Sequence, residues 1–372
     1  MAEPAHDVPS VAERGGRILA LDGLRGCACL LVVIGHYFGE VVHGTRFLAF
    51  DWLGVDLFFC LSGFLIGGIL MDNRDSPSYF ATFFIRRGFR IFPIYYLVVT
   101  LVLLALAQLT HPPEPSFPVG VYYGYGQNIV MALTGREMPL WLMPTWTLCV
   151  EEQFYLLLPV ILYLVPRRLV LRALLLLIVS ASVFRFLLIM MNANKLAFFT
   201  LLPSNWDLLF VGVLGAYAQR TPALWSRLTG HDRYGLKAVI LAGLCAMALF
   251  GFSDDWLGWR SFDICGRLAV GAVFTGVVLL LASGTPGAGR FRSPLLCFFG
   301  QISYGLYLIH QPVIGILHGA IFGQRPDIAT LPQAAVTVLA IVVSLALAYL
   351  SWTYFESPLI QLGHRWRYRE VR

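Results

Sequence analysis

Residues 145–190 indicate the fold most directly, and they read TWTLCVEEQFYLLLPVILYLVPRRLVLRALLLLIVSASVFRFLLIM. The stretch contains two apolar runs, 145–165 and 169–190. Each is long enough to cross a bilayer as a helix, which needs about 20 mostly apolar residues. Because only the residues PRR at 166–168 separate the two runs, we predict two membrane helices joined by a tight hairpin.

Apolar runs of this kind recur along the whole chain. The sequence is 58% hydrophobic and only 13% charged, with a mean hydropathy of +0.72, whereas soluble domains carry about 45–50% apolar and about 25% charged residues. This composition excludes a water-soluble fold. Ten candidate spans can be counted, at 24–42, 52–71, 89–109, 145–165, 169–190, 199–218, 236–253, 262–283, 295–317 and 333–355. The sequence therefore predicts an all-α, polytopic bundle of about ten transmembrane helices.

The distribution of basic residues predicts the orientation of this bundle. Nineteen of the 27 Lys and Arg residues fall in the two tails and the even-numbered connections, and five fall in the odd-numbered connections. Because positive residues concentrate on the cytoplasmic side, we place both termini in the cytoplasm and the protein in the plasma (inner) membrane, as a multi-pass protein. The expected division is a cytoplasmic N-terminal tail at 1–17, a transmembrane domain at 18–360 and a basic cytoplasmic C-terminal tail at 361–372.

Charge and cysteine content narrow the range of partners. The net charge of +6 comes from basic residues between apolar runs, without basic clusters that interleave aromatics. We therefore expect contacts with membrane lipids and no nucleic-acid partner. The seven cysteines lie mostly inside apolar runs and form no CxxC pair, and the chain has no HExxH. These patterns predict neither a disulfide framework nor a metal site.

Basic residues form an inner layer at the predicted cytoplasmic surface. Arg25 lies at the start of the first span, and Arg86, Arg87 and Arg90 lie at the start of the third. Arg87 and Arg90 share a helical face because they are three residues apart. Guanidinium groups that meet at this surface could clamp phosphates. The alternative is that they only set the topology and contact lipid headgroups.

A second layer of polar residues lies past the membrane midplane. His36 follows Arg25 by eleven residues, which is about 16 Å along a helix. Four other spans place an ionisable residue at a similar depth: Asp56, Glu151, Asp207 and His310. Ionisable groups inside membrane helices are costly and often functional, although each could instead be a packing group. A histidine beside a carboxylate is typical of general-base catalysis.

Six sequence motifs follow one another along the chain. They are LDGLRG (21–26) with a histidine at position 36, GVDLFFCLSGFLI (54–66), FIRRGFRIFP (84–93), WTLCVEEQFY (146–155), ISYGLYLIHQP (302–312) and FESP (355–358). In this order they resemble the motifs of the membrane-bound acyltransferase family 3, over nearly the whole chain. One segment departs from the family pattern, because SNWD (204–207) lacks the arginine expected ahead of its aspartate. We also expect no C-terminal SGNH hydrolase-like domain, which many members carry.

The resemblance implies O-acylation of a carbohydrate or glycoside hydroxyl, with acyl-CoA, in the first instance acetyl-CoA, as the donor. Arg25, Arg87 and Arg90 would bind the donor phosphates. We hypothesise that His36 is the general base, with Asp56 or Glu151 orienting its imidazole. The expected substrate contacts are His310, Asp207, Trp146 and Tyr304. Four side chains are also candidates to stabilise the tetrahedral oxyanion: Ser62, Trp146, Ser303 and Tyr304.

Several alternatives remain open from the sequence. His36 could carry the acyl group covalently, and His310 could orient the acceptor or merely pack. The acceptor could be an envelope polysaccharide that is modified outside the cell, or a secondary-metabolite sugar that arrives from inside. A transporter or flippase of a glycan or metabolite would also place carboxylates and histidines in mid-membrane.

Overall fold

The computed structural model describes residues 18–41, 43–45, 48–108, 117–252 and 262–369, without the side chains of residues 250–252. The predicted N-terminal tail, 1–17, lies outside this part of the chain. Within it the α-helices are α1 (Leu19–Ile34), α2 (Asp51–Asp72), α3 (Tyr79–Ala107), α4 (Val119–Tyr123), α5 (Gln127–Thr134), α6 (Thr145–Leu164), α7 (Val170–Met190), α8 (Lys195–Thr200), α9 (Leu202–Arg220), α10 (Pro222–Phe252), α11 (Arg267–Ala282), α12 (Ala288–Phe291), α13 (Pro294–Phe322), α14 (Leu331–Ser351) and α15 (Ser357–His364). The described residues contain no β-strand.

Nine helical segments of the described residues are long and apolar enough to span a membrane. They coincide with nine of the ten predicted spans. The remaining prediction, 236–253, falls on the second part of α10, whose backbone is non-helical from Gly230 to Arg233. The prediction of an all-α, polytopic bundle is confirmed, as is the tight connection between α6 and α7, which is a single 3₁₀ turn at Arg167–Leu169 after Pro166.

Helix α1 packs closely against α13, and small residues make the approach possible. A methyl group added to Gly300 would lie 2.0 Å from the carbonyl oxygen of Asp22, and one added to Gly26 would lie 2.1 Å from that of Leu296. Membrane helices associate through such small residues because there is no hydrophobic force between them in lipid. The close contact fixes the register between the helix that leads to His36 and the helix that carries His310.

The outer end of α1 continues into a π-helical turn, Gly35–Gly39, which contains His36. Turns of this kind are rare and occur frequently at functional sites. The buried Tyr37 anchors the turn, since its hydroxyl lies 3.1 Å from the carbonyl oxygen of His310 and 2.8 Å from Ser344 Oγ. The π turn therefore has a fixed position relative to α13 and α14.

Candidate active site

A cavity of about 350 Å³ extends from the predicted cytoplasmic ends of α1, α2 and α3 toward the middle of the bundle. Five of the predicted site residues line it together: Arg25, Arg87, Arg90, Glu151 and Tyr304. Three of the four arginines of the inner basic layer inferred from the sequence are thus gathered around one space in the structure.

Two of the arginines in this cavity form no direct ion pair with any described residue. Neither Arg87 nor Arg90 has a carboxylate oxygen within 4.0 Å in the part of the chain that the structure describes. The Arg87 guanidinium lies over the ring of Tyr155, at 5.4 Å from its centroid, whereas Arg25 donates to Asp22 at 3.2 Å. Guanidinium groups that are not directly paired with a carboxylate favour an anionic ligand in a partly dehydrated cavity, and they bind phosphates in bidentate geometry.

Glu151 is held in the wall of the same cavity by a short chain of hydroxyl groups. Ser62 Oγ donates to Glu151 Oε1 at 2.5 Å, and the Tyr155 hydroxyl donates to Ser62 Oγ at 3.2 Å. Tyr304 also lines the cavity and donates its hydroxyl to the carbonyl oxygen of Ile91 at 3.2 Å. Glu151 therefore faces this cavity, and the ring of His36 is oriented by another residue.

The ring of His36 is oriented by His310. The carbonyl oxygen of Leu306 can only accept a hydrogen bond, so His310 Nδ1, at 3.0 Å from it, carries the hydrogen. His310 Nε2 then holds a lone pair, which accepts from His36 Nδ1 at 2.7 Å. This relay leaves the lone pair on His36 Nε2 and makes that atom the basic nitrogen of the pair.

Two carboxylates lie on the outer side of His36 Nε2. Glu40 Oε2 is 3.7 Å away and Asp51 Oδ2 is 3.9 Å away. Burial raises the pKa of Glu40 to about 7, and the charges of Asp51 and Glu137 add to the shift. His36, Glu40 and Asp51 therefore place three acceptor atoms close together. This arrangement suits a ligand with hydroxyl groups, because each hydroxyl supplies an O–H donor.

The three acceptor atoms of His36, Glu40 and Asp51 lie within 4.8 Å of one another, a spacing that could also hold a metal ion. The expectation from the sequence that the protein binds no metal remains a prediction.

Tyr307 lies between the cavity and the histidine pair. It lines the cavity, and its ring centroid is 6.0 Å from that of His310. Its hydroxyl donates to the carbonyl oxygen of Pro144 at 3.2 Å and lies 2.8 Å from Thr147 Oγ1. A ligand that fills the cavity from the predicted cytoplasmic side therefore reaches Tyr307 beside the histidines. Trp146 packs edge-to-face on Phe59, and its predicted substrate contact stays a prediction.

Asp56 and Asp207 are both bound in buried ion pairs that the sequence did not predict. Arg185 Nη2 donates to Asp207 Oδ2 at 2.6 Å, and Arg267 Nη2 donates to Asp56 Oδ1 at 2.9 Å. The side chains of Arg185 and Asp207 are at most 1% exposed. Removing one partner of such a pair costs about 3–5 kcal/mol, since it leaves a buried charge. Asp56 therefore does not orient His36. Asp207 joins α7 to α9 through its ion pair, and its predicted substrate contact stays a prediction.

The same network includes the aspartate of the SNWD segment, which departs from the family pattern. Asp207 pairs with Arg185 on the neighbouring helix α7. A signal for this pairing was present in the sequence, because an arginine in mid-span requires a partner.

Glu40 and Asp51 were missed by reasoning from the sequence. Glu40 follows His36 by four residues, the spacing that places two side chains on one helical face. Asp51 begins α2, but no local pattern joins it to His36, which lies on the other side of the connecting loop.

Comparison with known proteins supports the assignment that the six motifs suggested. The model of a family described as an acyltransferase domain matches residues 18–353. O-acetyltransferase OatA of Staphylococcus aureus strains NCTC 8325 and COL is 24% identical over 366 residues, which cover 93% of this chain and 57% of each relative. The chain thus spans little more than half the length of these relatives. No solved structure shows a significant match. Since the family model covers most of the sequence, this polytopic chain belongs to the membrane-bound acyltransferase family 3.

Proposed function

We propose that this protein transfers an acyl group from a CoA thioester to a hydroxyl of a carbohydrate or glycoside. The acyl group that we propose is acetyl. The observation that carries the proposal is the position of His36 Nε2. This basic nitrogen, fixed by His310, lies close to the carboxylates of Glu40 and Asp51. Tyr307, which packs near His310, also lines the cavity that contains the arginines. The relatives are O-acetyltransferases, which supports the same chemistry.

The donor enters from the predicted cytoplasmic side. Its phosphates bind Arg87 and Arg90, with Arg25 completing the basic rim of the cavity. The acyl-bearing arm follows the cavity toward Tyr307, which contacts His310. A CoA thioester suits this cavity because the arm is narrow and the opposite end of the molecule is anionic. The positive-inside pattern of the chain supports a location in the plasma (inner) membrane, with CoA on the inner side.

His36 acts as the general base. Its Nε2 takes the proton of the acceptor hydroxyl while the hydroxyl oxygen attacks the thioester carbonyl carbon. The tetrahedral intermediate then collapses, the C–S bond breaks, and the leaving thiolate recovers the proton from the imidazolium. The products are an O-acyl ester and free CoA. Because His36 Nδ1 already donates to His310 Nε2, the imidazolium can form without a change of ring orientation.

The acceptor binds at the outer side of His36. Glu40 and Asp51 accept hydrogen bonds from hydroxyl groups next to the one that reacts. A carbohydrate presents several such hydroxyls on adjacent carbons, and their donors match the three acceptors. This arrangement favours an acceptor that approaches from outside the membrane over one that arrives from the cytoplasm.

The direct test is a transfer assay with purified protein in nanodiscs, acetyl-CoA labelled in the acetyl group, and a panel of glycans. We expect a base-labile acetyl ester on a glycan and an equal amount of free CoA thiol. A folded sample that neither binds nor consumes acetyl-CoA, propionyl-CoA or longer acyl-CoAs would reject the proposal and favour a transporter of glycans or metabolites.

The rate of transfer is expected to rise as the pH increases through about 7, partly because Glu40 ionises in this range. Above that pH its carboxylate stabilises the imidazolium that forms on His36, and below it the neutral group does not. Glu40→Gln removes this ionisation and should lower the rate at high pH by about fivefold, as expected for one half-exposed charge near 4 Å. The measurement is the pH profile of the initial rate.

Glu137→Gln is the matched control for that profile. Glu137 raises the pKa of Glu40 by repulsion, so its removal should shift the rising limb to lower pH without lowering the rate at high pH. A Glu40→Gln profile that overlays the wild-type profile would contradict the role of Glu40.

A further inference from the structure

The C-terminal segment His364–Arg369, here called the strap, is bound across the start of α3. Ser76 Oγ donates to the carbonyl oxygen of Arg369 at 2.8 Å, and the Arg369 amide donates to Ser78 Oγ at 3.0 Å. The strap begins at the last residue of α15, which packs against α3. The part of the predicted basic tail that the structure describes is therefore docked on the bundle.

Arg86 is the main side chain that holds the strap. Its Nε donates to the carbonyl oxygen of Trp366 at 2.7 Å, and its guanidinium lies over the ring of Tyr368 at 5.3 Å from the centroid. This explains why Arg86 does not line the cavity, although Arg87 and Arg90 do. One arginine of the cluster fastens the strap, and the other two remain available for an anion.

The strap forms part of the entrance to the cavity, because His364 lines it together with Arg87 and Arg90. The cavity has a volume of about 350 Å³, which is near the lower end of the range for ligand pockets, about 300–1,000 Å³. This space suits the thioester arm of a CoA donor. The nucleotide end, which carries a purine and further phosphates, then remains at the entrance beside the strap.

The strap offers the chemistry that a nucleotide requires. Trp366 is 52% exposed, although it is a large aromatic residue on a segment with a fixed backbone. Arg365 and Arg367, on either side of it, are exposed as well. Aromatic faces stack on nucleobases, and guanidinium groups bind phosphates.

We propose that the strap is the nucleotide-binding part of the donor site, with Trp366 stacking on the purine and its flanking arginines contacting the phosphates of the nucleotide. This inference rests on the proposed function, because it assumes a CoA donor. It assigns a binding role to a segment that follows the last membrane span, separate from the cavity arginines.

The test compares two donors that differ only in the nucleotide: acetyl-CoA and S-acetyl-4′-phosphopantetheine. Calorimetry on Trp366→Ala should show acetyl-CoA binding about tenfold more weakly, the size of effect that base stacking gives. Binding of S-acetyl-4′-phosphopantetheine should be unchanged. Trp225→Ala, which alters a tryptophan on α10, serves as the control and should leave both affinities unchanged.

Each other outcome overturns a defined part of the scheme. If wild-type protein binds acetyl-CoA and Trp366→Ala binds it equally well, or if both donors weaken together, the strap proposal is wrong and the proposed function stands. If folded wild-type protein binds no CoA compound, both fail. An effect of Trp366→Ala that appears in nanodiscs of anionic phosphatidylglycerol but not of phosphatidylcholine would identify the strap as a lipid anchor and refute nucleotide binding.

Discussion

His36→Ala is expected to lower the rate of acyl transfer by about 10²- to 10⁴-fold, the usual contribution of a positioned general base. The affinity for acetyl-CoA should be unchanged, because His36 does not line the cavity that we propose as the donor site. The measurements are the transfer rate at saturating donor and the calorimetric affinity for acetyl-CoA. This combination separates loss of the base from loss of donor binding.

His43→Ala is the matched control for this variant. His43 is also an outer-side histidine with a carboxylate partner, Asp327, but its side chain is 63% exposed and pairs away from His36. Its removal should leave the transfer rate within the error of the assay. Full activity of His36→Ala would refute the general base and the acyl-histidine alternative alike. A labelled acyl-protein that persists without acceptor in the wild type, and disappears in His36→Ala, would favour the covalent route.

The relay through His310 adds a test of coupling. If His310 acts only by orienting His36, the double variant His36→Ala/His310→Ala should be no slower than His36→Ala alone, since residues that act as one unit have non-additive effects. A further loss of transfer rate in the double variant would indicate that His310 itself contacts the substrate.

The sequence was sufficient to predict those features that depend on local properties. A membrane span is defined by the length of one apolar run, so α2, α6 and α7 could be located without knowledge of their neighbours. The spacing of Arg87 and Arg90 also defines one helical face. The structure places both of them with Arg25 around one cavity.

The partners of the polar residues could not be predicted in the same way. His36 and His310 are 274 positions apart, and the register of α1 on α13 depends on how closely Gly26 and Gly300 allow the backbones to approach. The predicted depth of each residue in the membrane was the only reason to place Asp56 near His36. The direction of each side chain around its helix axis decides the pairing, and it turns Asp56 toward Arg267.

Arg87→Gln/Arg90→Gln is expected to weaken binding of acetyl-CoA by about 10²- to 10⁴-fold. Hydrogen bonds to charged groups contribute about 1.5–3 kcal/mol each, and this variant removes two such guanidinium groups from the cavity. Neither arginine has a carboxylate within 4.0 Å among the described residues, so the variant disrupts no ion pair of the fold. The measurements are calorimetric affinity and the thermal unfolding temperature, which should stay close to that of the wild type.

The matched control is Arg167→Gln/Arg168→Gln, which removes the same charge from the same predicted side of the membrane. Arg167 pairs with Asp75 on an exposed turn, away from the cavity. If the two double variants weaken donor binding equally, the arginines act only through the overall surface potential, and the cavity is not a phosphate site. If only Arg87→Gln/Arg90→Gln loses affinity, Arg87→Lys/Arg90→Lys separates charge from geometry. Lysine keeps the charge but lacks the planar fork that binds phosphate in bidentate fashion, so partial recovery by lysine would show that both contribute to holding the donor against His36.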